Sequence, residues 1–149
     1  MTMAAPKWDL LKVGDVLPPY VHEKVTRTDL VRYAGASGDY NPMHHDEKLA
    51  MSLGMPSVFA HGMFSMGLLS NVVGNWAGPS NVESFDVQFR AMTWPDERIT
   101  CTGKVVGKRQ EGGKKLVDVE LACESLNAAK PDGQQTARTI VGKATVALD

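Results

Sequence analysis

The sequence lacks long hydrophobic runs and an excess of charge of either sign, and it contains only two cysteines. The most apolar stretch, Met63 to Trp76, is shorter than the roughly 20 residues that a membrane-spanning helix needs. The 16 basic and 17 acidic residues leave a net charge of -1, without the basic excess that duplex-binding domains use against phosphates. We therefore expect a soluble protein that binds neither membranes nor nucleic acid.

Cysteine pairs and targeting signals are sparse as well. Neither Cys101 nor Cys123 has a second cysteine or a histidine at the spacing of a metal site, so we interpret both as small buried hydrophobic residues. Residues 1–15 lack the apolar segment of a signal peptide, and we expect a cytoplasmic protein. A length of 149 residues without repeats or linkers predicts one domain over residues 1–149.

Motifs of nucleophilic and phosphate-binding enzymes are missing too. Ser65 follows His-Gly-Met-Phe and lacks the Gly-x-Ser-x-Gly elbow of serine hydrolases. No glycine loop of the Walker or Rossmann type occurs. Basic residues do cluster once, as is typical of a solvated hairpin; the alternative is a rim that attracts an anionic carrier such as coenzyme A. The cluster comprises Lys104, Lys108, Arg109, Lys114 and Lys115.

Hydrophobic periodicity divides the chain into a helical first half and a strand-rich second half. Thr26, with Asp29 three residues later, is expected to cap the first helix. The predicted elements are a short strand near Tyr20–Val25, helices over Arg27–Ala36, Asp46–Leu53 and Met63–Trp76, and strands over Glu83–Ala91, Arg98–Lys108, Leu116–Ser125 and Thr136–Leu148.

The third predicted helix is apolar on most sides, so we expect it inside the protein. Turn signals at Pro95-Asp96, Glu111–Lys114 and Lys130–Gly133 separate the four long strands, which predicts an antiparallel meander. The economical arrangement is an α+β fold whose curved antiparallel sheet wraps around the long central helix. One face then needs cover, and a dimer is the simplest way to supply it.

The stretch with the most chemical information runs from Ser37 to Asp46. Asp39 and His44 lie in a turn between two helices and could share one water molecule, one group taking a proton while the other gives one. The structural alternative is an Asx-turn at Asp39, with His44 capping the next helix or facing solvent. Asn41, between them, can donate to a carboxylate or orient the loop.

A second block, Ala60-His61-Gly62, lies where the buried helix begins. Unpaired N–H groups and positive partial charge at a helix start suit a carbonyl oxygen that becomes an enolate, and Gly62 would let a ligand approach its N–H closely. His61 is expected to be structural, with its ring bonded to backbone. Adjacent histidines such as His44 and His45 rarely reach one centre, so we expect no metal.

These two blocks together closely resemble the MaoC-like, R-specific enoyl-thioester hydratases of the hot-dog fold. The resemblance implies that Asp39 and His44 hold the catalytic water and that Asn41 supports their loop. It further implies that the Gly62 N–H binds the thioester carbonyl, with His61 in a supporting place. The role of His45 stays open, because family members often carry an apolar or aromatic residue there.

The resemblance also implies a homodimer or a heterodimer with another hot-dog subunit, and coenzyme A or acyl carrier protein as part of the substrate rather than a separate cofactor. Three functions compete: hydration of enoyl-CoA in lipid or steroid side-chain breakdown, dehydration in a fatty-acid elongation system, and a non-catalytic thioester-binding subunit. The Asp39–His44 pair argues against the third. Acyl length and the identity of the base stay open. Candidates for the acyl pocket are Met55, Val58, Phe59, Trp76 and Phe85.

Overall fold

The computed structural model describes residues 5–131 and 133–149. The turn predicted at Lys130–Gly133 includes Asp132, which lies outside the described residues. The helices are α1 (Arg27–Ser37), α2 (Glu47–Ser52) and α3 (Gly62–Ala77), and the strands are β1 (Tyr20–His22), β2 (Val82–Phe89), β3 (Arg98–Glu111), β4 (Lys114–Leu126) and β5 (Thr136–Leu148). Short 3₁₀ turns cover Trp8–Leu10, Pro42–His44 and Pro79–Asn81.

Helix α1 begins and ends as the sequence predicts, to within a residue. Thr26 Oγ1 accepts a hydrogen bond from the Asp29 N–H at 3.0 Å, and the Asp29 carboxylate accepts one from the Thr26 N–H at 2.8 Å. This reciprocal capping box satisfies donors that the first turn leaves free. Gly38 ends the helix in the left-handed region, at φ 75°, where a residue without Cβ is favoured. The chain therefore turns sharply just before Asp39.

The five strands form one antiparallel sheet in the order β1-β3-β4-β5-β2. Only β3, β4 and β5 form a meander, so the prediction that all four long strands are consecutive neighbours is wrong. β2 pairs with β5 at the far edge of the sheet and does not contact β3 in the ladder. Strand β1 is also shorter than predicted, because Val25 exchanges hydrogen bonds with the backbone of Asp96 and Glu97 outside the ladder.

The displaced strand is explained by residues 90–97, which we name the crossing segment. Its first residue, Arg90, donates its N–H to the Thr139 carbonyl on β5 at 2.8 Å. Further along, the Thr93 carbonyl accepts from the Ala60 N–H at 2.8 Å, just before α3. The crossing segment thus carries the chain from one sheet edge to the other across the beginning of α3. This end of the sheet is where both sequence blocks meet.

Helix α3 contacts all five strands, so the sheet wraps around it as expected for the hot-dog architecture. Leu69, Val72 and Val73 on α3 are almost fully buried and form the centre of the core. Gly103 on β3 lets the sheet approach closely, because a Cβ there would lie 2.9 Å from Val72 Cγ1. The α+β prediction is confirmed. Within the described ranges, no helix combines the length and the apolar character that crossing a membrane requires.

The far end of the sheet carries four residues of the basic cluster, whereas Lys104 lies in the middle of β3, opposite Glu120. Gly112 and Gly113 both have positive φ, as a two-residue type I′ hairpin turn requires, and Glu111 pairs with Lys114 across it. Lys114 forms an ion pair with Glu83, and Arg109 with Asp118 and Glu111. These cations have local partners at the end of the molecule opposite the beginning of α3, which favours the solvated-hairpin interpretation.

The two cysteines behave as predicted. Cys101 and Cys123 lie opposite each other on β3 and β4, fully buried, with their sulfur atoms 3.9 Å apart. The hydrogen bond between the thiols, together with burial, raises the pKa of Cys101 above its ordinary value. Both thiols therefore act as core side chains.

Candidate active site

Asp39 has one carboxylate oxygen in a turn and the other facing the neighbouring histidine. Its Oδ1 accepts a hydrogen bond from the Asn41 N–H at 3.2 Å, which is the Asx-turn of the structural alternative. Its Oδ2 lies 3.9 Å from Nε2 of His44, and half of the side chain is exposed. Asn41 orients the loop, because its Oδ1 accepts from the Met43 N–H at 3.1 Å and begins the Pro42–His44 turn. The two interpretations of Asp39 are therefore compatible.

His44 is buried, and its ring is held in one orientation. Nδ1 lies 2.7 Å from the Phe59 carbonyl oxygen, which can only accept, so Nδ1 carries the proton in the neutral ring. The Phe59 ring packs edge-on against the imidazole at a centroid distance of 5.0 Å. Nε2 is left with a lone pair directed toward Asp39. The His44 ring is therefore prepared to accept a proton at Nε2.

His61 is the second buried imidazole of the site. Its side chain is 1% exposed, its Nε2 lies 3.1 Å from the Asp39 backbone carbonyl, and its ring stacks on His44 with centroids 3.8 Å apart. Tyr33 of α1 packs on it at 4.9 Å. The hydrogen bond to backbone is what the sequence predicts for a structural histidine. His61 thus ties the Asp39 loop to the residue before α3.

Three side chains of the site carry atoms that are close enough together to bind one metal ion. Atoms of Asp39, His44 and His61 lie within 4.8 Å of one another. His44 offers only Nε2, since Nδ1 is bonded to Phe59. His61 Nε2 is bonded to Asp39, and its Nδ1 is buried without a hydrogen-bond partner in the described part of the chain. The expectation of a metal-free site stays a prediction.

His45 and Asp46 do not join the cluster. The exposed His45 ring lies 3.3 Å from the Tyr40 carbonyl oxygen and is directed to the loop backbone. Asp46 caps α2, accepting a hydrogen bond from the Leu49 N–H at 3.0 Å. Helix α2 is therefore capped by Asp46 and not by His44. The polar residues of this stretch therefore have two roles: Asp46 caps α2, whereas Asp39 and His44 face each other.

Gly62 is the first residue of α3, and no hydrogen bond engages its N–H within the described residues. Its backbone is not strained, so the absence of a Cβ has another reason. A Cβ at this position would lie 3.1 Å from Cε1 of the Phe89 ring. Phe89 ends β2 and is half exposed. The aromatic ring thus packs against the first turn of α3, and a free N–H and the positive end of the helix dipole lie beside it.

A cavity of about 300 Å³ opens beside Gly62. Its walls come from α3, from the crossing segment and from β5, and they are mostly apolar. Phe59 lines this cavity, and its ring packs edge-on against His44, so the cavity adjoins the residue that holds the imidazole. Of the five pocket candidates predicted from the sequence, only Phe59 is among the lining residues. The other four, Met55, Val58, Trp76 and Phe85, belong to the core or pack against it.

Sequence reasoning missed Phe89 and the carbonyl of Phe59. Phe89 continues the alternation of β2, so periodicity could have assigned it to the inner face of that strand. Nothing in the sequence indicates that β2 lies at the sheet edge beside the start of α3. The bond from His44 to the Phe59 carbonyl has no sequence signal either, because any residue could supply a carbonyl.

The buried His61 makes stability depend on pH. Burial lowers the pKa of His61 below the ordinary histidine value, and the neighbouring His44 lowers it further, while the hydrogen bond to Asp39 acts in the opposite direction. Below about pH 6.5, His61 therefore binds a proton in the unfolded chain but stays neutral in the folded protein. The stabilisation is complete above that pH and is lost as the pH falls toward the lowered pKa.

We accordingly expect the melting temperature to fall from about pH 7 to about pH 5, and to fall less in His61→Gln, which cannot titrate. His45→Gln is the matched control, because that ring is exposed. Thermal unfolding followed by circular dichroism at several pH values measures both slopes. A His61→Gln slope as steep as that of the wild type would contradict the expectation.

Comparison with known proteins gives a consistent result. Residues 12–127 match the family model described as MaoC like domain. The (R)-specific enoyl-CoA hydratase of Rhodospirillum rubrum is 30% identical over 114 residues, which cover 75% of this chain and 78% of that protein. The fatty acid synthase subunit beta of Saccharomyces cerevisiae is 31% identical over 111 residues, which cover 72% of this chain and 5% of that protein.

A solved structure supports the same fold. The ChsH1-ChsH2 complex from Mycobacterium tuberculosis superimposes with a TM-score of 0.75 at 23% identity, covering 94% of this chain and 100% of that chain. At this identity the similarity establishes the architecture alone. The family match, the relatives and the wrapped sheet agree with one another. The chain belongs to the MaoC-like family of hydratases and dehydratases and has the hot-dog fold.

Proposed function

We propose that the protein adds water to trans-2-enoyl thioesters to form (R)-3-hydroxyacyl thioesters, or catalyses the reverse dehydration, with Asp39 and His44 as its acid/base pair. The observation that carries the proposal is the separation of 3.9 Å between His44 Nε2 and Asp39 Oδ2. Because Nδ1 of His44 donates to the Phe59 carbonyl, Nε2 of the neutral ring is a hydrogen-bond acceptor. The facing oxygen of the ionised Asp39 carboxylate is an acceptor as well. A water molecule can donate one hydrogen to each.

In the hydration direction, this water loses a proton to one member of the pair while its oxygen bonds to the β-carbon. The π electrons move toward the thioester carbonyl, whose oxygen gains the charge of an enolate. A proton then reaches the α-carbon from the pair, so that one water has been added and no net charge remains. Both deliveries come from one side of the substrate, since Asp39 and His44 share one edge of the site.

The enolate oxygen needs hydrogen-bond donors, and the beginning of α3 offers them. The Gly62 N–H has no partner among the residues that the structure describes, and the helix contributes positive partial charge there. Asn41 and His61 support the pair by holding the loop and the Asp39 backbone. The proposal assigns no dissociable cofactor; coenzyme A or acyl carrier protein enters as part of the substrate.

A second function is favoured by one comparison. Similarity to a mitochondrial 3-hydroxyacyl-[acyl-carrier-protein] dehydratase of Arabidopsis thaliana supports dehydration of 3-hydroxyacyl groups on acyl carrier protein as the alternative. A non-catalytic thioester-binding subunit is disfavoured, because such a subunit has no need of two facing acceptor groups. We also propose that the chain acts as a homodimer or a heterodimer with a second hot-dog subunit, since β2 leaves one edge of the sheet unpaired within the described chain.

We expect the purified chain to hydrate crotonyl-CoA, with loss of the enoyl absorbance and formation of the R product on a chiral column. Parallel assays with longer enoyl-CoA substrates and with the same acyl groups on acyl carrier protein distinguish the two carriers. Addition of EDTA is expected to leave the rate unchanged. A chain that is folded and dimeric yet inactive on every substrate, in both directions, would refute the proposed function.

A further inference from the structure

The cavity beside Gly62 contains a hydroxyl group that the function described so far does not use. Ser65 lies three residues after Gly62 on α3 and lines the same cavity. Its side chain is only 3% exposed. Within the described residues its Oγ makes no hydrogen bond to any protein group, although the Ser65 N–H bonds to the His61 carbonyl at 3.4 Å. Because the side chain is otherwise enclosed and lines this cavity, a ligand in the cavity is the partner available to the hydroxyl.

Helix geometry places this hydroxyl beside the free N–H of Gly62. Residues three apart share one face of a helix, and side chains lean toward its N-terminus. The Ser65 side chain therefore extends over the turn that Gly62 begins. Two donors that no group in the described part of the chain uses thus border one mostly apolar cavity at the positive end of α3.

The other polar groups of the cavity are already engaged or lie on other elements. The Thr139 hydroxyl donates to the Cys123 carbonyl at 3.2 Å. Arg90 is the charged residue of the lining, and its guanidinium donates to Gln88 at 2.6 Å. Thr93 belongs to the crossing segment, not to the helix. Ser65 is therefore the hydroxyl best situated to act together with the Gly62 N–H.

We infer that Ser65 Oγ–H is the second hydrogen-bond donor to the thioester carbonyl oxygen, beside the Gly62 N–H. The inference rests on the proposed function, because it assigns a group to that reaction. A carbonyl oxygen has two lone pairs, and the charge it gains in the enolate strengthens both hydrogen bonds. A preorganised donor in a site that excludes water stabilises the transition state more than the bound substrate.

Ser65→Ala and Ser65→Thr test the assignment. Loss of the hydroxyl is expected to lower kcat on the order of 100-fold with little change in KM, in hydration and dehydration alike. Ser65→Thr keeps the donor and restores most of the rate. Because the hydroxyl has no partner to lose among the described residues, Ser65→Ala should melt at the wild-type temperature or higher. Ser80→Ala is the matched control, since Ser80 is exposed beyond the other end of α3.

A spectroscopic measurement separates this assignment from activity. Bound butyryl-CoA cannot be hydrated, and the infrared stretch of its carbonyl reports the hydrogen bonds to that oxygen. We expect a downshift on binding to the wild type that is smaller in Ser65→Ala. An active wild type with an unchanged Ser65→Ala rate and carbonyl stretch would overturn the inference and leave the proposed function standing. A wild type that hydrates no enoyl thioester would instead overturn the proposed function.

Discussion

Asp39→Asn and His44→Asn are each expected to lower kcat for hydration by on the order of 10³-fold while the fold is retained. Asparagine at position 39 keeps an oxygen for the Asn41 N–H but loses the negative charge and one acceptor. Asparagine at position 44 can replace Nδ1 in the bond to the Phe59 carbonyl but has no counterpart of Nε2. Each change thus removes the chemical group and preserves the local hydrogen bond.

The pair should also behave as one unit. If Asp39 and His44 hold the same water, the double variant loses little more than either single variant, because the second removal acts on a site already disabled. Initial rates with crotonyl-CoA, together with circular dichroism spectra, measure both effects. His45→Gln serves as the control, since its exposed ring is directed to the Tyr40 carbonyl and should leave kcat unchanged. A single variant within tenfold of the wild-type rate would exclude the assigned pair.

These residues could be predicted because their information is local. The turn formers after α1, the spacing from Asp39 to His44 and the helix start at Gly62 are all contained in short stretches of sequence. Hydrophobic periodicity likewise locates α3 and β5 to within a residue, because apolar residues recur at different spacings in a helix and in a strand. Where a local pattern determines the structure, the sequence is sufficient.

The strand order could not be predicted in the same way. Pro95-Asp96 resembles a hairpin turn, and Asp96 does adopt a positive φ of 71°. The bonds that determine the path, from Arg90 to Thr139 and from Ala60 to Thr93, join residues far apart in sequence. Whether β2 lies beside β3 or β5 depends on those long-range bonds. Because the position of β2 depends on these long-range bonds, the sequence does not indicate that Phe89 lies beside the cavity.

Gly142→Ala is expected to destabilise the fold by about 1–3 kcal/mol, a large effect for the addition of one methyl group. Gly142 on β5 pairs with Val87 on β2. A Cβ there would lie 2.5 Å from the Asp86 carbonyl oxygen and 2.8 Å from Val87 Cγ1. The first of these atoms is backbone, so rotation of a side chain cannot relieve the overlap. β2 must therefore move away from β5 or lose part of its ladder.

Gly35→Ala gives the matched comparison, because it adds the same atom where there is space. Gly35 is exposed within α1, and no atom lies within 4 Å of the added Cβ. Alanine in a helix is favoured over glycine by about 0.5–1 kcal/mol, so this variant should be more stable than the wild type. Urea unfolding at constant pH measures both changes. If Gly142→Ala unfolds at the same urea concentration as the wild type, the close contact between β5 and β2 is absent. If the variant is destabilised, we also expect a lower kcat/KM, because β2 carries Phe89 to the first turn of α3.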